Sequence, residues 1–474
     1  MKSIFNGDKT ISPAWLFKKT IMDIKTFIQH LVITMGFFGK NGLTNHAAAG
    51  AYGFLLSAAP MILIVSFFLI RAFRTTPEAA ISLLNEIPFL DFAIDEDWPA
   101  LEFLIYAPAG IPTLVTMLSI FWAGRIFAVS MQRGIKIVFT GTKKRNPVEE
   151  NLVTLAIELV ILVVMLAVIL GSGLAVRLYD AAGFIQGTLL SRLLVSLSGS
   201  RTFSLAALGF LMFLVYRFIP VNPPRKAAAL WGSIFCIVSY GTLTLLMDTL
   251  LRQPRYNFLH GALGDIVIVL VGVYFFFLCF FLGCQFAAVS NSFDALLFLR
   301  LRETRSTAAE NAKGLGPLIT RRLFYHPDGK LKKYHRLYRE GDIIMSQGEK
   351  GNDVYYLLEG EADALLPSRC GSGVSESDAS GSVAPADAYR VAGILKTGSF
   401  IGEMNYLLSE GRSATIRART AVSALALPPC LFGEILGNDT ELDKSIIENL
   451  SRRVKKGNEQ IAALSDSGAT ISSQ

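Results

Sequence analysis

Long stretches of this chain carry no charge, and that limits its folds more than any other feature. A helix that crosses a bilayer needs about 20 consecutive, mostly apolar residues. Residues 47–70, 103–124, 227–247 and 266–293 each supply such a run, and 151–176 supplies another broken only by Glu158. A shorter run at 202–219 is interrupted by Arg217, whose long side chain can reach the interface. The pattern predicts six spans between residues 47 and 293. Residues 295–474 have the texture of an ordinary soluble sequence.

Charge placement gives the spans an orientation. Cytoplasmic loops carry the excess of Lys and Arg. The segment 125–150 holds Arg125, Arg133, Lys136, Lys143, Lys144 and Arg145, the turn 220–226 holds Arg225 and Lys226, and Arg300, Arg302 and Arg305 follow the last run. The loop 75–102 has no basic residue but carries Glu78, Glu86, Asp91, Asp95, Glu96, Asp97 and Glu102. These positions alternate sides consistently and predict that both termini are cytoplasmic. The formal charge of +7 is then accounted for by topology, so nucleic acid is not expected as a partner. The lipid bilayer is.

Before the first run, residues 14–30 alternate apolar and basic positions at helical spacing, which predicts an interfacial helix on the inner leaflet. No cleavable signal peptide is visible at the N-terminus. The five cysteines, Cys236, Cys279, Cys284, Cys370 and Cys430, imply neither a disulfide framework nor a metal site.

Ionisable residues inside spans are candidates for function. Glu158 sits within the third span, about two turns from its cytoplasmic end. It is read either as part of a proton or cation path or as the partner of an arginine such as Arg125 or Arg217. Asp248 and Asp265 fall near span ends, where solvation explains them. Gln285 sits within the sixth run. Pro60, Pro108 and Pro112 predict kinks.

The run HAAAGAYGFLLSAAPMILIV (46–65), the segment YRFIPVNPPRKAAALWGSIFCIV (216–238) and the stretch YNFLHGALGDIVIVLVGVYFFFLCFFLGCQFAAV (256–289) resemble the YihY, or virulence-factor BrkB, family. The resemblance covers roughly residues 10–300. It implies a six-span inner-membrane protein of unassigned activity. Where the family has a glutamate, this chain has Gln285. An older ribonuclease label for the family is not supported by these residues, which form no cluster able to hold catalytic metal. No metal is expected, and no enzyme.

Residues 294–317 read as a basic linker between the membrane domain (47–293) and a C-terminal domain (318–463), with a cytoplasmic N-terminal segment at 1–46 and a disordered tail at 464–474. From Tyr338 short β-rich runs appear, with turns at Gly341-Asp342, Gly348, Gly351-Asn352-Asp353 and Gly360. A Ser/Gly/Ala/Asp-rich insert follows at 367–388 and reads as a loop. Strands resume at Tyr389, and helices are predicted near 431–437 and 440–463. The expected fold is therefore an α-helical polytopic membrane domain of six spans plus a jelly-roll-like C-terminal β-roll with flanking helices.

The stretch GSFIGEMNYLLSEGRSATIRA (398–418) resembles the phosphate-binding cassette of cyclic-nucleotide-binding domains. A glycine at 402 lets backbone approach a ligand closely. The short helical turn from Glu403 and Met404 offers free amides to a phosphate. Glu403 can accept from a ribose hydroxyl, Arg412 can make a charge-assisted contact to the cyclic phosphate, Ser413 can donate a hydroxyl, and Ala414 leaves room beside the sugar-phosphate. Asn405 and Tyr406 depart from the small apolar residues usual after the acid. The resemblance implies cAMP or cGMP as ligand and does not choose between them.

Together these features predict a cyclic-nucleotide-regulated inner-membrane protein, transporter-like, with a membrane-anchored sensing scaffold as the alternative. A voltage-gated channel is disfavoured, since no span has arginine at every third position and no selectivity-filter run separates the last two spans. Self-association into a homo-oligomer stays open.

Overall fold

In the computed structural model, the described residues are 13–67, 111–139, 146–160, 163, 200–251, 261–307, 315–367, 389–408, 411–439, 441–448 and 451–452. The acidic loop 75–102, the far part of the third predicted span, Cys370 with its insert, and the tail 464–474 lie outside them. The chain divides into two compact units: His30–Asn291, and Met1–Gln29 together with Ser292–Gln474.

The unit His30–Asn291 is helical. Helix α1 (Pro13–Lys40) carries the chain into it, so the predicted interfacial segment 14–30 is the first part of a longer helix. It is followed by α2 (Leu43–Phe67), α3 (Ile111–Val138), α4 (described over 147–160), α5 (Ser200–Phe218), α6 (Lys226–Leu251) and α7 (Gly261–Asn291). Helix α2 packs on α3 and α7, and α6 packs on α7 and α5. Phenylalanines from α7 fill the centre. Phe277 is buried against Phe54 and Phe127 at centroid distances of 6.2 and 5.7 Å, and Phe280 and Phe281 are fully buried.

Small residues set the closest helix contacts, as expected where association relies on van der Waals packing. A Cβ placed on Gly232 of α6 would sit 2.7 Å from the Gly283 carbonyl of α7, and one on Gly283 would sit 2.8 Å from the Gly232 carbonyl. The two glycines are thus reciprocal, and neither position admits a side chain without separating the helices. Beside them the Tyr216 hydroxyl donates to the Phe280 carbonyl at 2.7 Å. Gln285 accepts from Asn41 Nδ2 at 3.1 Å, a contact that a neutral amide supplies.

This unit carries apolar side chains on its outside as well as in its core. On α4, Thr154, Ile157 and Glu158 are buried while Leu152, Leu155, Leu159 and Val163 are exposed. Trp122 and Leu118 on α3, and Trp231, Ile234, Val238 and Leu245 on α6, are likewise exposed. Contiguous apolar surface of this kind marks contact with an apolar medium or a partner. Among the described residues, two helices are long and apolar enough to cross a membrane, Lys226–Leu246 and Leu270–Asn291, and Leu205–Phe218 is a shorter apolar helix. These fall on the fifth, sixth and fourth predicted runs.

In the other unit, α8 (Phe293–Thr307) and α9 (Leu315–Phe324) precede a 3-10 turn (Gly329–Tyr334) and a β-roll. The roll has two antiparallel four-stranded sheets. With β1 (His335–Tyr338), β2 (Ile343–Met345), β3 (Val354–Glu359), β4 (Ala362–Pro367), β5 (Tyr389–Leu395), β6 (Phe400–Ile401), β7 (Thr415–Ala418) and β8 (Val422–Leu427), the orders are β1-β8-β3-β6 and β2-β7-β4-β5. Ile344, Leu357, Ile401, Ile416 and Val422 fill the space between them. The turn between β3 and β4 uses Gly360 at φ +94, where a Cβ would meet the Ala421 carbonyl at 2.4 Å.

Helix α8 is basic on one side and apolar on the other. Phe298 is fully buried, with its ring 5.1 Å from Tyr356 and 6.2 Å from Phe400. Arg305 donates to the Leu358 and Tyr325 carbonyls at 2.9 and 3.0 Å. The segment read as a basic linker therefore contains a helix seated on the roll. Its charges dominate its composition, yet its buried face decides where it packs.

Replacing Gly283 with Leu forces α6 and α7 apart. The expected cost is about 1–3 kcal/mol, seen as a lower melting temperature of the detergent-solubilised chain. Leu at Gly241, where a Cβ meets nothing within 4 Å, is the control and should melt like the parent.

Candidate functional site

The site is built where β6 ends. Strand β6 pairs with β3 through Tyr355↔Ile401 and Tyr356↔Phe400, which fixes the position of the next residue. That residue, Gly402, has φ +83, a conformation L side chains rarely adopt. It turns the chain into the six-residue helix α10 (Glu403–Leu408). A Cβ at Gly402 would lie 2.1 Å from Arg412 Nη1, so the glycine also makes the space that the guanidinium fills.

Arg412 is 5 % exposed. Its Nη2 donates to the Asp353 carbonyl at 2.7 Å and its Nη1 to the Gly402 carbonyl at 3.3 Å. Its Nε has no hydrogen-bond partner, and among the described residues no carboxylate pairs with it. The backbone of Arg412 is held as well, since its carbonyl accepts from Gly348 N at 2.9 Å. A buried cation with no counter-charge is costly, and an anion beside it would offset that cost. The guanidinium is held in one orientation by these two carbonyls.

Gly402, Glu403, Met404, Arg412, Ser413 and Ala414 all line one cavity of about 430 Å³, within the size range of small-molecule pockets. Met345, Ile394 and Ile416 line it too and give it an apolar side. Glu403 is buried at its edge. The cavity thus joins one fixed cation, one buried acid and an apolar wall, a set suited to a small organic anion. Glu158 belongs to the other unit and is not part of this site.

Two features escaped the sequence reading. The Asp353 contribution is a backbone carbonyl, so nothing about its side chain announced it; only the Gly351-Asn352-Asp353 turn was visible. Tyr406 looked like a departure from pattern. Its ring packs 5.0 Å from Phe432, which lies 5.7 Å from Phe400. Phe432 is fully buried on α11 (Pro429–Asn438). Tyr406 therefore ties α10 to α11. Beyond α11, Asp439 caps the helix described over 441–448 by accepting from Glu441 N and Leu442 N, each at 3.1 Å, and it also accepts from Arg302 of α8 at 3.4 Å.

Two family models match the chain. The model described as virulence factor BrkB matches residues 34–298, more than half of the chain, and the model described as cyclic nucleotide-binding domain matches 335–439. Among solved structures, the chain is similar to the catabolite activator protein of Thermus thermophilus at 23 % identity, covering 28 % of this chain and 54 % of that one, with a TM-score of 0.23. A transcriptional regulator from Thermotoga maritima shares 21 % identity over 28 % of this chain and 95 % of its own, with a TM-score of 0.22. A cAMP-bound PfPKA-R structure shares 23 % identity over 26 % and 36 % of the two chains, with a TM-score of 0.20.

Substituting Gly402 with Ala imposes both the positive φ and a contact with Arg412. A loss of about 1–3 kcal/mol is expected, together with faster amide exchange at Gly348, whose N–H is held by the Arg412 carbonyl. Unchanged exchange there would show that the turn does not depend on Arg412.

Proposed function

The chain belongs to the virulence factor BrkB family, a family of membrane proteins, and carries a cyclic nucleotide-binding domain; from that premise we propose that it is a multi-pass inner-membrane protein, transporter-like, whose membrane half is regulated by cyclic nucleotide. The observation that carries the ligand half is Arg412, buried, oriented by two carbonyls and without a carboxylate partner among the described residues. In this reading the guanidinium meets the cyclic phosphate, Glu403 accepts from the ribose hydroxyl and Ser413 donates its hydroxyl. Gly402 and Ala414 keep backbone and sugar close, while Met404 and the apolar wall face the rest of the ligand. Either cAMP or cGMP satisfies this chemistry.

Six spans with both termini in the cytoplasm fit the basic segments at 125–150 and 220–226 and the exposed apolar faces of α3, α4 and α6. The exposed apolar stripe of α1, with Ile24, Phe27, Ile28 and Met35, fits a helix at the lipid interface. One residue, Ser292, separates α7 from α8 in the chain. Nucleotide that favoured one arrangement of the C-terminal helix, joined to α8 through Asp439 and Arg302, would therefore bias the end of the last span. Such regulation requires different affinities for two states.

Calorimetric titration of the full-length protein in detergent with cAMP, cGMP and 5′-AMP tests the ligand class. A cyclic nucleotide should bind more tightly than 5′-AMP. Arg412→Ala should weaken binding roughly tenfold to a hundredfold, the loss of one charge-assisted contact. No heat with either cyclic nucleotide overturns the sensor. Binding that leaves amide exchange in α7 unchanged overturns regulation and leaves a sensing scaffold.

A further inference from the structure

A polar stripe crosses the seam between α3 and α4 in the helical unit. At its solvent-accessible end Lys136 pairs with Glu150, with side chains 38 % and 39 % exposed. One turn further along α4, Thr154 Oγ1 lies 2.6 Å from Gln132 Oε1 and 2.9 Å from the Glu150 carbonyl, and both Thr154 and Gln132 are buried. One more turn along lies Glu158, 4 % exposed. Residues 150, 154 and 158 share one helix face, and the stripe is about 12 Å long at the rise of an α-helix.

The stripe ends on unspent polar groups. Gln132 Nε2 is buried without a partner. Among the described residues Glu158 has neither a hydrogen bond nor an ion pair. Arg125, the cation whose charge reaches it, is held elsewhere: it donates to Asn151 Oδ1 at 2.6 Å and lies over the Trp122 ring. The Thr154 hydroxyl has one proton and two acceptors. If it donates to the Glu150 carbonyl, Gln132 turns its amide N–H toward Thr154 and its carbonyl is left over. If it donates to Gln132, the amide N–H is left over. A carboxyl that carries a proton both donates and accepts, so it suits either arrangement, directly or through one water. The other charged groups on these two helices are Arg133, Lys136, Glu149 and Glu150; α2 carries no acid or base besides His46, α5 carries Arg201 and Arg217, and α7 carries Asp265.

We infer that Glu158 is a proton-binding site of the helical unit, reached from the Lys136–Glu150 end of the α3–α4 seam by way of Gln132 and Thr154. Intramembrane acids of this kind serve as proton relays. The inference deepens the transporter-like reading by naming the ion, and it rests on that reading only for movement of the proton across the bilayer. The step itself is simple: a hydronium ion at the open end gives up a proton and is left as water, and the Glu158 carboxylate takes that proton and later returns it to water.

Two readouts on the full-length protein in liposomes test it. In pH-titrated infrared difference spectra, a protonated-carboxyl band should persist at neutral pH, vanish in Glu158→Gln and survive in Glu149→Gln, an exposed acid next to the stripe. In vesicles loaded with a pH-sensitive dye, an imposed potassium diffusion potential should drive proton entry that Glu158→Gln abolishes and Thr154→Val slows. A band unchanged in Glu158→Gln overturns the site whatever the flux. A band that Glu158→Gln removes, with no flux in the parent, keeps the proton site and overturns transport. Should Glu158→Gln fail to assemble, Glu158→Asp should shift the band, and an unshifted band overturns the assignment.

Discussion

The Arg412 guanidinium is carried into the interior of the β-roll with two backbone carbonyls as its acceptors and, among the described residues, no carboxylate paired with it. The rest of the site follows from that constraint. Gly402 must lack a side chain because the guanidinium occupies the space, and it must adopt a positive φ because β6 ends there and α10 begins. The turns at 346–349 and 351–353 are fixed by the same residue, one through its backbone and one through its side chain. A buried charge is tolerated when paired and is expensive otherwise, which is why the proposed ligand is an anion.

The helical unit answers a different solvent. Its exposed positions include leucine, valine, phenylalanine and tryptophan, and a few polar side chains, among them Gln132, Thr154, Glu158 and Gln285, are buried inside it. Without a hydrophobic drive between helices in lipid, packing depends on close contact and internal hydrogen bonds. The Gly232–Gly283 approach, the Tyr216–Phe280 hydrogen bond and the Asn41–Gln285 pair supply both. Glu158 is a buried acid of this unit that such pairing leaves over among the described residues. Each unit, then, has a buried charged side chain with no ion pair among the described residues, Arg412 in one and Glu158 in the other.

Much of this was legible in the chain itself. The cassette from Gly402 to Ala414 was readable because its spacing encodes a turn, a short helix and a returning strand, and all six residues singled out line one cavity. The roll's turns were readable because Gly341, Gly348 and Gly360 occupy positive φ. The seat of α8 was not readable. A count of arginines describes its exposed side, whereas Phe298, Tyr356 and Phe400 are far apart in sequence and meet only when the roll is folded. Tyr406 looked anomalous for the same reason, since its partner Phe432 lies outside the cassette.

The sequence by itself determined the two classes of environment, the placement of charge around the apolar runs and the turn and short helix of the cassette, because hydropathy and turn preference are local properties of neighbouring residues. Tertiary structure decided which backbone carbonyls hold Arg412, which glycines let helices touch, and that Glu158 stands at the buried end of a polar stripe. Those are relations between segments brought together by packing, and no periodicity along one segment encodes them.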